Sequence, residues 1–187
     1  MLAVLITISI GVGLLFYHAH RAMVAARQYV SDASRLQIGV SADREFIRIH
    51  EKYSRYAEMD PNCNPAKCDA KFKFDNGVPI NIFRVHSAFL LSGLTLSRGL
   101  ITSSVIDSVC WGSNGGQFGV QPVESLPNPV TFVGPFQVHH IVSSEKLEHL
   151  SFHLTPAASA EQRADAYAFN VSFLSRFSAC NDATDMH

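Results

Sequence analysis

Charge is scarce in this chain. Of its 187 residues only 17 % are charged, below the ~25 % of an ordinary soluble domain. Lysine is scarcer still, with Lys52, Lys67, Lys71, Lys73 and Lys146 the full set. The net charge is -1 with neutral His. Binding a polyanion requires a basic face that neutralises phosphates, so a nucleic-acid partner is not expected. The one small basic cluster, Lys67, Lys71 and Lys73, reads as the solvated side of a strand.

Catalytic signatures are missing too. There is no His-Glu-x-x-His pair for zinc and no Gly-x-Ser-x-Gly elbow for a serine nucleophile. Gly112-Ser113-Asn114-Gly115-Gly116 is rich in glycine but lacks the Lys-Ser/Thr of a phosphate-binding loop. Asp107 sits inside an apolar run as a candidate buried acid, yet one carboxylate without a partner does not make acid–base chemistry. The nine histidines offer a metal site only through His139, His140, His149 and His153. If their strands pair, one of the first two faces one of the last two. His149 and His153 are four apart on a strand, about 13 Å at ~3.3 Å per residue, too far to share an ion. No residue is therefore assigned a catalytic, cofactor or metal role, and no cofactor is expected.

Apolar side chains are abundant. They make up 47 % of the chain, with 13 Phe to fill a core, which excludes disorder because such surface offsets the entropy of chain ordering. Met1 to Tyr17 carries no charge at all. It approaches the ~20 apolar residues of a membrane-spanning helix and extends through Ala19 and Ala22, with Tyr17 suited to the aromatic belt. Three readings compete: an uncleaved anchor over residues 1–20, a secretory signal cleaved near Val24-Ala25-Ala26, and a buried core helix. No Lys or Arg precedes the run, which argues against a signal. Only Thr7 and Ser9 interrupt residues 2–16, which argues against a core helix. The anchor is the reading carried forward, with membrane lipid as the partner of residues 1–20.

Orientation draws on conflicting cues. Arg21 and Arg27 follow the span and none precedes it, which by the positive-inside rule places the domain in the cytoplasm. A few basic residues ahead of Met1 would remove the conflict. The cysteines, Cys63, Cys68, Cys110 and Cys180, argue the other way, since an even number beside a membrane-targeting segment suggests disulfides. Cys63 and Cys68 enclose Asn64-Pro65-Ala66-Lys67, a turn composition that brings two Cα atoms close. Elimination leaves Cys110 with Cys180. Structural zinc on Cys63-x4-Cys68 lacks a second close Cys/His pair, and four reduced thiols in a cytoplasmic domain remain the remaining reading. The domain is expected on the extracytoplasmic side.

The expected organisation is an anchor over 1–20, a helical stalk over 21–36, an α+β domain over 37–182 and a loose tail over 183–187. Ser41 caps a helix running to about Tyr56, with Phe46, Ile49, Tyr53 and Tyr56 as its buried stripe. Ala70 to Phe74 alternates as a strand. Phe89 to Ser97 and Leu100 to Cys110 form a hairpin about Arg98-Gly99. Gly112 to Gly119 and the prolines Pro122, Pro127 and Pro129 make an irregular region. Val130 to Val142 reads as a strand interrupted at Gly134-Pro135, and Leu147 to Leu154 as another. A last helix starts at Thr155-Pro156 and Ser159 and runs to about Phe177, with Phe169, Phe173 and Phe177 on one side. The sequon Asn170-Val171-Ser172 then falls inside that helix. The sum is an α+β fold: an N-terminal transmembrane helix, a helix, an antiparallel sheet of about four to six strands, and a C-terminal helix packed on the sheet.

The stretch Leu36-Gln37-Ile38-Gly39-Val40-Ser41 and the helix after it resemble the BamE/SmpA-like small lipoproteins, although no lipobox Cys follows the apolar segment. A second resemblance is to uncharacterised single-anchor envelope proteins of acidobacterial type. Cys63-Asn64-Pro65-Ala66-Lys67-Cys68 leading into Phe72-Lys73-Phe74-Asp75-Asn76 carries it, with Leu154-Thr155-Pro156, Ala168-Phe169-Asn170 and Cys180. It spans most of residues 36–182 and implies an envelope domain without implying an activity. Two functions remain: a non-enzymatic binding or structural module, with a protein partner, or a cell-envelope hydrolase or metal-dependent enzyme using His and Asp107 of the sheet. His and Asp107 in one deep pocket would favour the enzyme, and a shallow face would favour the module.

Overall fold

The computed structural model describes residues 1–64, 66–78, 86–112, 115–126, 134–144, 147–180, 183 and 186–187. Its first element is α1, Leu2–Ala33, 32 residues of unbroken helix, roughly 48 Å long at ~1.5 Å per residue. Nothing in it stops a helix, since it holds no proline. Its two halves differ. Val4, Leu5, Ile6, Ile8, Ile10, Val12, Leu14, Phe16 and Tyr17 are exposed. Ala19, Ala22, Ala26, Tyr29, Val30 and Ala33 are buried, at the spacings of three and four that put side chains on one helical face. The 31 residues Ala3–Ala33 are long and apolar enough to cross a membrane by length and composition, a test that a signal sequence also meets.

The expected stalk over 21–36 is corrected by this burial. Alanines at one face let the helix backbone approach the sheet, while Arg21, Arg27 and Arg35 stay exposed on the other side. The second half of α1 is thus core. Tyr29 fixes it: its ring lies 4.8 Å from Phe72, 5.3 Å from Phe74 and 5.2 Å from Tyr53, and its hydroxyl is 2.7 Å from Ser92 Oγ.

Helix α2, Asp43–Lys52, follows. Ser41 is not its cap. Ser41 Oγ accepts from the Gln37 N–H at 2.9 Å, and the helix begins after Ala42, whose N–H donates to the Glu45 carboxylate at 3.0 Å. Phe46, Ile49 and Tyr53 are buried as expected. The helix ends at Lys52 and a short 3-10 turn, Ser54–Tyr56, carries Tyr56 onto Phe74 at 4.6 Å.

The sheet has seven strands: β1 Ala57–Met59, β2 Lys67–Asp75, β3 Ala88–Ser97, β4 Leu100–Trp111, β5 Gln117–Ser125, β6 Phe136–Ser144 and β7 Leu147–Leu154, in spatial order β1-β2-β3-β4-β5-β7-β6. That is slightly above the expected number. All pairs are antiparallel except β5 with β7, which is parallel. The β3–β4 hairpin turns at Arg98 (φ 53°) and Gly99 (φ 78°), the pair of left-handed residues that a two-residue type I′ turn requires.

β5 falls where the sequence reads as loop, because Gly119 and Pro122 are poor strand residues. Both are accommodated. The β4–β5 ladder pairs Ser103–Val105 with Val123–Ser125 and Ser108–Trp111 with Gln117–Val120, and skips the stretch around Pro122, which has no N–H to give. The strand expected over 130–142 begins at Phe136, and residues 130–133 lie outside the described residues.

One face of the sheet is covered, and among the described residues no helix lies across the other. Phe72, Phe74, Leu90, Leu94, Ile106, Val120, Phe152 and Leu154 point into the core beneath α1 and α2. Along α1, Tyr29 meets Phe72 and Phe74, whereas His18 Nε2 lies 3.5 Å from Asp75 and Leu15 and His18 abut Gly77. The helix therefore runs lengthwise along β2, and its exposed half projects past the end of that strand.

The last segment departs from expectation. Ser159 does cap a helix, α3, with a reciprocal bond to Gln162, but α3 is only Ala160–Ala166. Burial of Tyr167 and Phe169 and an Asn170 N–H bond to Met186 O at 2.6 Å pull the chain out of helix. Asn170 then caps a 3-10 turn, Val171–Ser175, by accepting from the Ser172 N–H. The sequon is thus a cap, not mid-helix. The tail expected to be loose is held at its described residues. Ala183 and Met186 are buried, and the His187 ring stacks 4.7 Å from Phe152.

Candidate functional site

The four cysteines form two pairs at disulfide distance, Cys63–Cys68 with Cα atoms 4.4 Å apart and Cys110–Cys180 at 6.0 Å. No free thiol remains for zinc. The first pair closes the turn before β2. The second ties the end of β4 to the chain beyond the last 3-10 turn, where the Cys180 N–H also donates to Trp111 O.

The open face of the sheet is built by the odd-numbered residues of β2 to β5 and β7. Lys67, Asp69, Lys71, Lys73 and Asp75 form its β2 row, acids interspersed with lysines, and Lys73 Nζ is 3.7 Å from Asp75. Next to that row, Gly93 leaves open space where a side chain would stand. The result is a hollow of about 370 Å³ floored by Gly93, walled by Leu91 and Val105, and rimmed by Lys71, Asp107 and Gln121.

Asp107 is not a buried acid, as the sequence suggested. It faces outward, and its carboxylate lies 3.1 Å from His149 Nε2. The two residues sit on β4 and β7, with β5 between them. Gly119 of β5 allows the reach, because a Cβ there would overlap the His149 ring. This pairing needs the parallel β5–β7 register, which puts Gly119 opposite His149. No local pattern announces it.

The other histidines of this end form separate contacts. His140 Nε2 is 2.8 Å from Glu148, and the His139 and His153 rings are 5.3 Å apart. Partial burial, then the neighbouring His139, lowers the His153 pKa from its ordinary value. His149 and His153 point to the same face, as their spacing requires. Among the described residues no three His, Cys, Asp or Glu side chains converge as a metal cluster. The Gly112 and Gly115 N–H groups are spent inside their own loop, donating to Gly116 O and Gly112 O, and Ser113 and Asn114 lie outside the described residues.

Under the covered face lies a charged pair that the sequence reading missed. Glu124, 1 % exposed, is bonded to Arg163 of α3. Burial raises the Glu124 pKa, against the opposing pull of Arg163. Burial, and then the charge of Glu124, likewise raises the Tyr167 hydroxyl. Arg163 and Tyr167 also line a cleft of about 680 Å³ between α3 and residues Ser34, Gln37 and Ile38. The signal for Glu124 was its parity with Phe118 and Val120, visible only once β5 is recognised as a strand. The pair pins α3 to the sheet.

No protein-family model matches this chain, and neither does any curated protein or solved structure.

Proposed function

We propose that the chain is a single-pass membrane protein of the cell envelope. The exposed apolar turns of α1, up to about Tyr17, lie in lipid, and the α+β domain stands on the extracytoplasmic side as a non-enzymatic binding or structural module. The observation that carries this is the two-part character of α1. One continuous helix has exposed apolar side chains from Val4 to Tyr17 and buried ones from Ala19 onward. Water is a poor solvent for the first part. The second part is locked in the core, so anchor and domain act as a rigid strut rather than bead and string. The two cysteine pairs support the compartment, because cytosolic thiols are kept reduced. The resemblance to single-anchor envelope proteins agrees with it. Arg21 and Arg27 favour the opposite side, but a cytoplasmic placement leaves the disulfides without an oxidant.

The open sheet face is the surface offered to a partner. Its hollow over Gly93 combines apolar walls with a polar rim, as binding sites do. A membrane-impermeant maleimide added to intact cells tests the placement. Labelling is expected only after a reductant is supplied. Labelling that needs cell lysis would place the domain inside and overturn the proposal.

Asp107 and His149 favour one other reading, a hydrolase or metal-dependent enzyme with Asp107 orienting His149 as base. They lie on an open face, not in a cavity that excludes water, so the binding module stands first. Ester hydrolysis lost in His149→Ala would reverse that order.

A further inference from the structure

We infer, on the membrane reading of α1, that the cleft between the middle of this helix and the 3-10 turn after α2 holds the headgroup of one anionic phospholipid. His20, Arg21 and Val24 of α1 form one wall, and Lys52, Arg55 and Tyr56 form the other, around a volume of about 480 Å³. Small-ligand sites run from ~300 to ~1,000 Å³.

The lining carries cationic side chains and no carboxylate. Lys52 is neutralised by Asp32, 2.7 Å away. Arg21 and Arg55 are exposed, and among the described residues neither is paired with an acid. Two guanidiniums from separate elements thus face one cleft without a counter-ion. A guanidinium matches a phosphate with two parallel N–H donors.

Position selects a lipid over a free phosphate. The Arg21 guanidinium carbon lies 5.7 Å from the centre of the Tyr17 ring, at the upper end of the exposed apolar turns. Arg21 is four residues beyond Tyr17, about 6 Å along the axis at ~1.5 Å per residue. The headgroup layer is itself roughly 5–8 Å deep on each side of the hydrocarbon. Below Arg21, Tyr17, Leu14 and Ile10 follow at helical spacing, and all three are exposed. A phosphate held at Arg21 and Arg55 therefore has its acyl chains running down an apolar stripe of the same helix.

The full chain in detergent micelles is titrated with phosphatidylglycerol or with phosphatidylcholine, and retained lipid is counted by native mass spectrometry. One phosphatidylglycerol per chain is expected, held about tenfold or more tighter than phosphatidylcholine. Arg21→Gln and Arg55→Gln should each weaken it about fivefold. Both residues are exposed, so the fold is not at risk. Arg27→Gln should leave affinity unchanged, because Arg27 lines a separate cleft with Val30 and Tyr167. Glycerol phosphate, the anion without its chains, should not displace the lipid at equal concentration. Equal binding of phosphatidylcholine, an equal loss in Arg27→Gln, or displacement by glycerol phosphate would each overturn the assignment. Flotation with pure phosphatidylcholine vesicles reads the anchor separately. A chain that floats but shows no preference for phosphatidylglycerol refutes the cleft alone, and one that does not float refutes the anchor and the cleft with it.

Discussion

The imidazole of His149 lies across Gly119, at the one place in β5 where a strand residue has no side chain. A Cβ at this position would overlap the ring and stand 2.9 Å from Ser108 O. Gly119→Ala is therefore expected to destabilise the domain by about 2 kcal/mol, the usual cost of overpacking. Part of that loss should return in a His149→Ala background, leaving the share caused by Ser108 O. Urea denaturation of the two single variants and the double variant checks this, and purely additive effects would show that the ring is not the obstacle.

The two disulfides should contribute unequally. Closing the loop of sequence separation 70 between Cys110 and Cys180 is worth about 4 kcal/mol on the chain-entropy account. The separation of 5 between Cys63 and Cys68 corresponds to about 2 kcal/mol. Cys110→Ser with Cys180→Ser should lower the denaturation midpoint more than Cys63→Ser with Cys68→Ser. The reverse order would mean that the long loop is already restrained when unfolded.

Glu124 should leave a mark on the pH dependence of stability. Burial raises its pKa in the folded state, so folding takes up a proton between the unfolded and folded values. Its contribution is complete below the unfolded pKa and declines as pH rises through the folded one. Glu124→Gln should flatten that decline, above the ordinary carboxylate range, in thermal melts recorded against pH. Arg163→Ala acts differently. It leaves a buried carboxylate without its partner and should cost about 3 kcal/mol near neutral pH, less at acid pH where Glu124 is protonated.

On the proposed topology, the two halves of α1 separate by mutation. Deleting residues 1–17 removes side chains that are mostly exposed, so the melting temperature should change little while membrane association is lost. Phe16, 4.8 Å from Phe177, is among the few contacts forfeited. Tyr29→Ala should do the opposite, retaining the apolar turns while losing about 3–5 kcal/mol of packing. Sedimentation with membranes and circular dichroism distinguish the two outcomes.

Elements with short-range signals were readable from the residues alone. The uncharged opening run, the alternation of Ala70 to Phe74, the Arg98-Gly99 turn, the helix start at Ser159 and the turn composition between Cys63 and Cys68 each carry their own local signal. Features that depend on distant partners were not. Gly119 and Pro122 conceal β5 because only the flanking strands, one of them parallel, make a strand of them. The same hidden strand hid Glu124. The last helix stops early because Met186, further along the chain, claims the Asn170 N–H, and that claim is also what settles the tail. The pairing of Asp107 with His149 and the approach of His139 to His153 depend on the register of β7 against β5 and β6. Periodicity along a chain reports which face a side chain takes. Which side chain waits opposite is set by hydrogen bonds between segments far apart in sequence, and these form only when the whole sheet assembles.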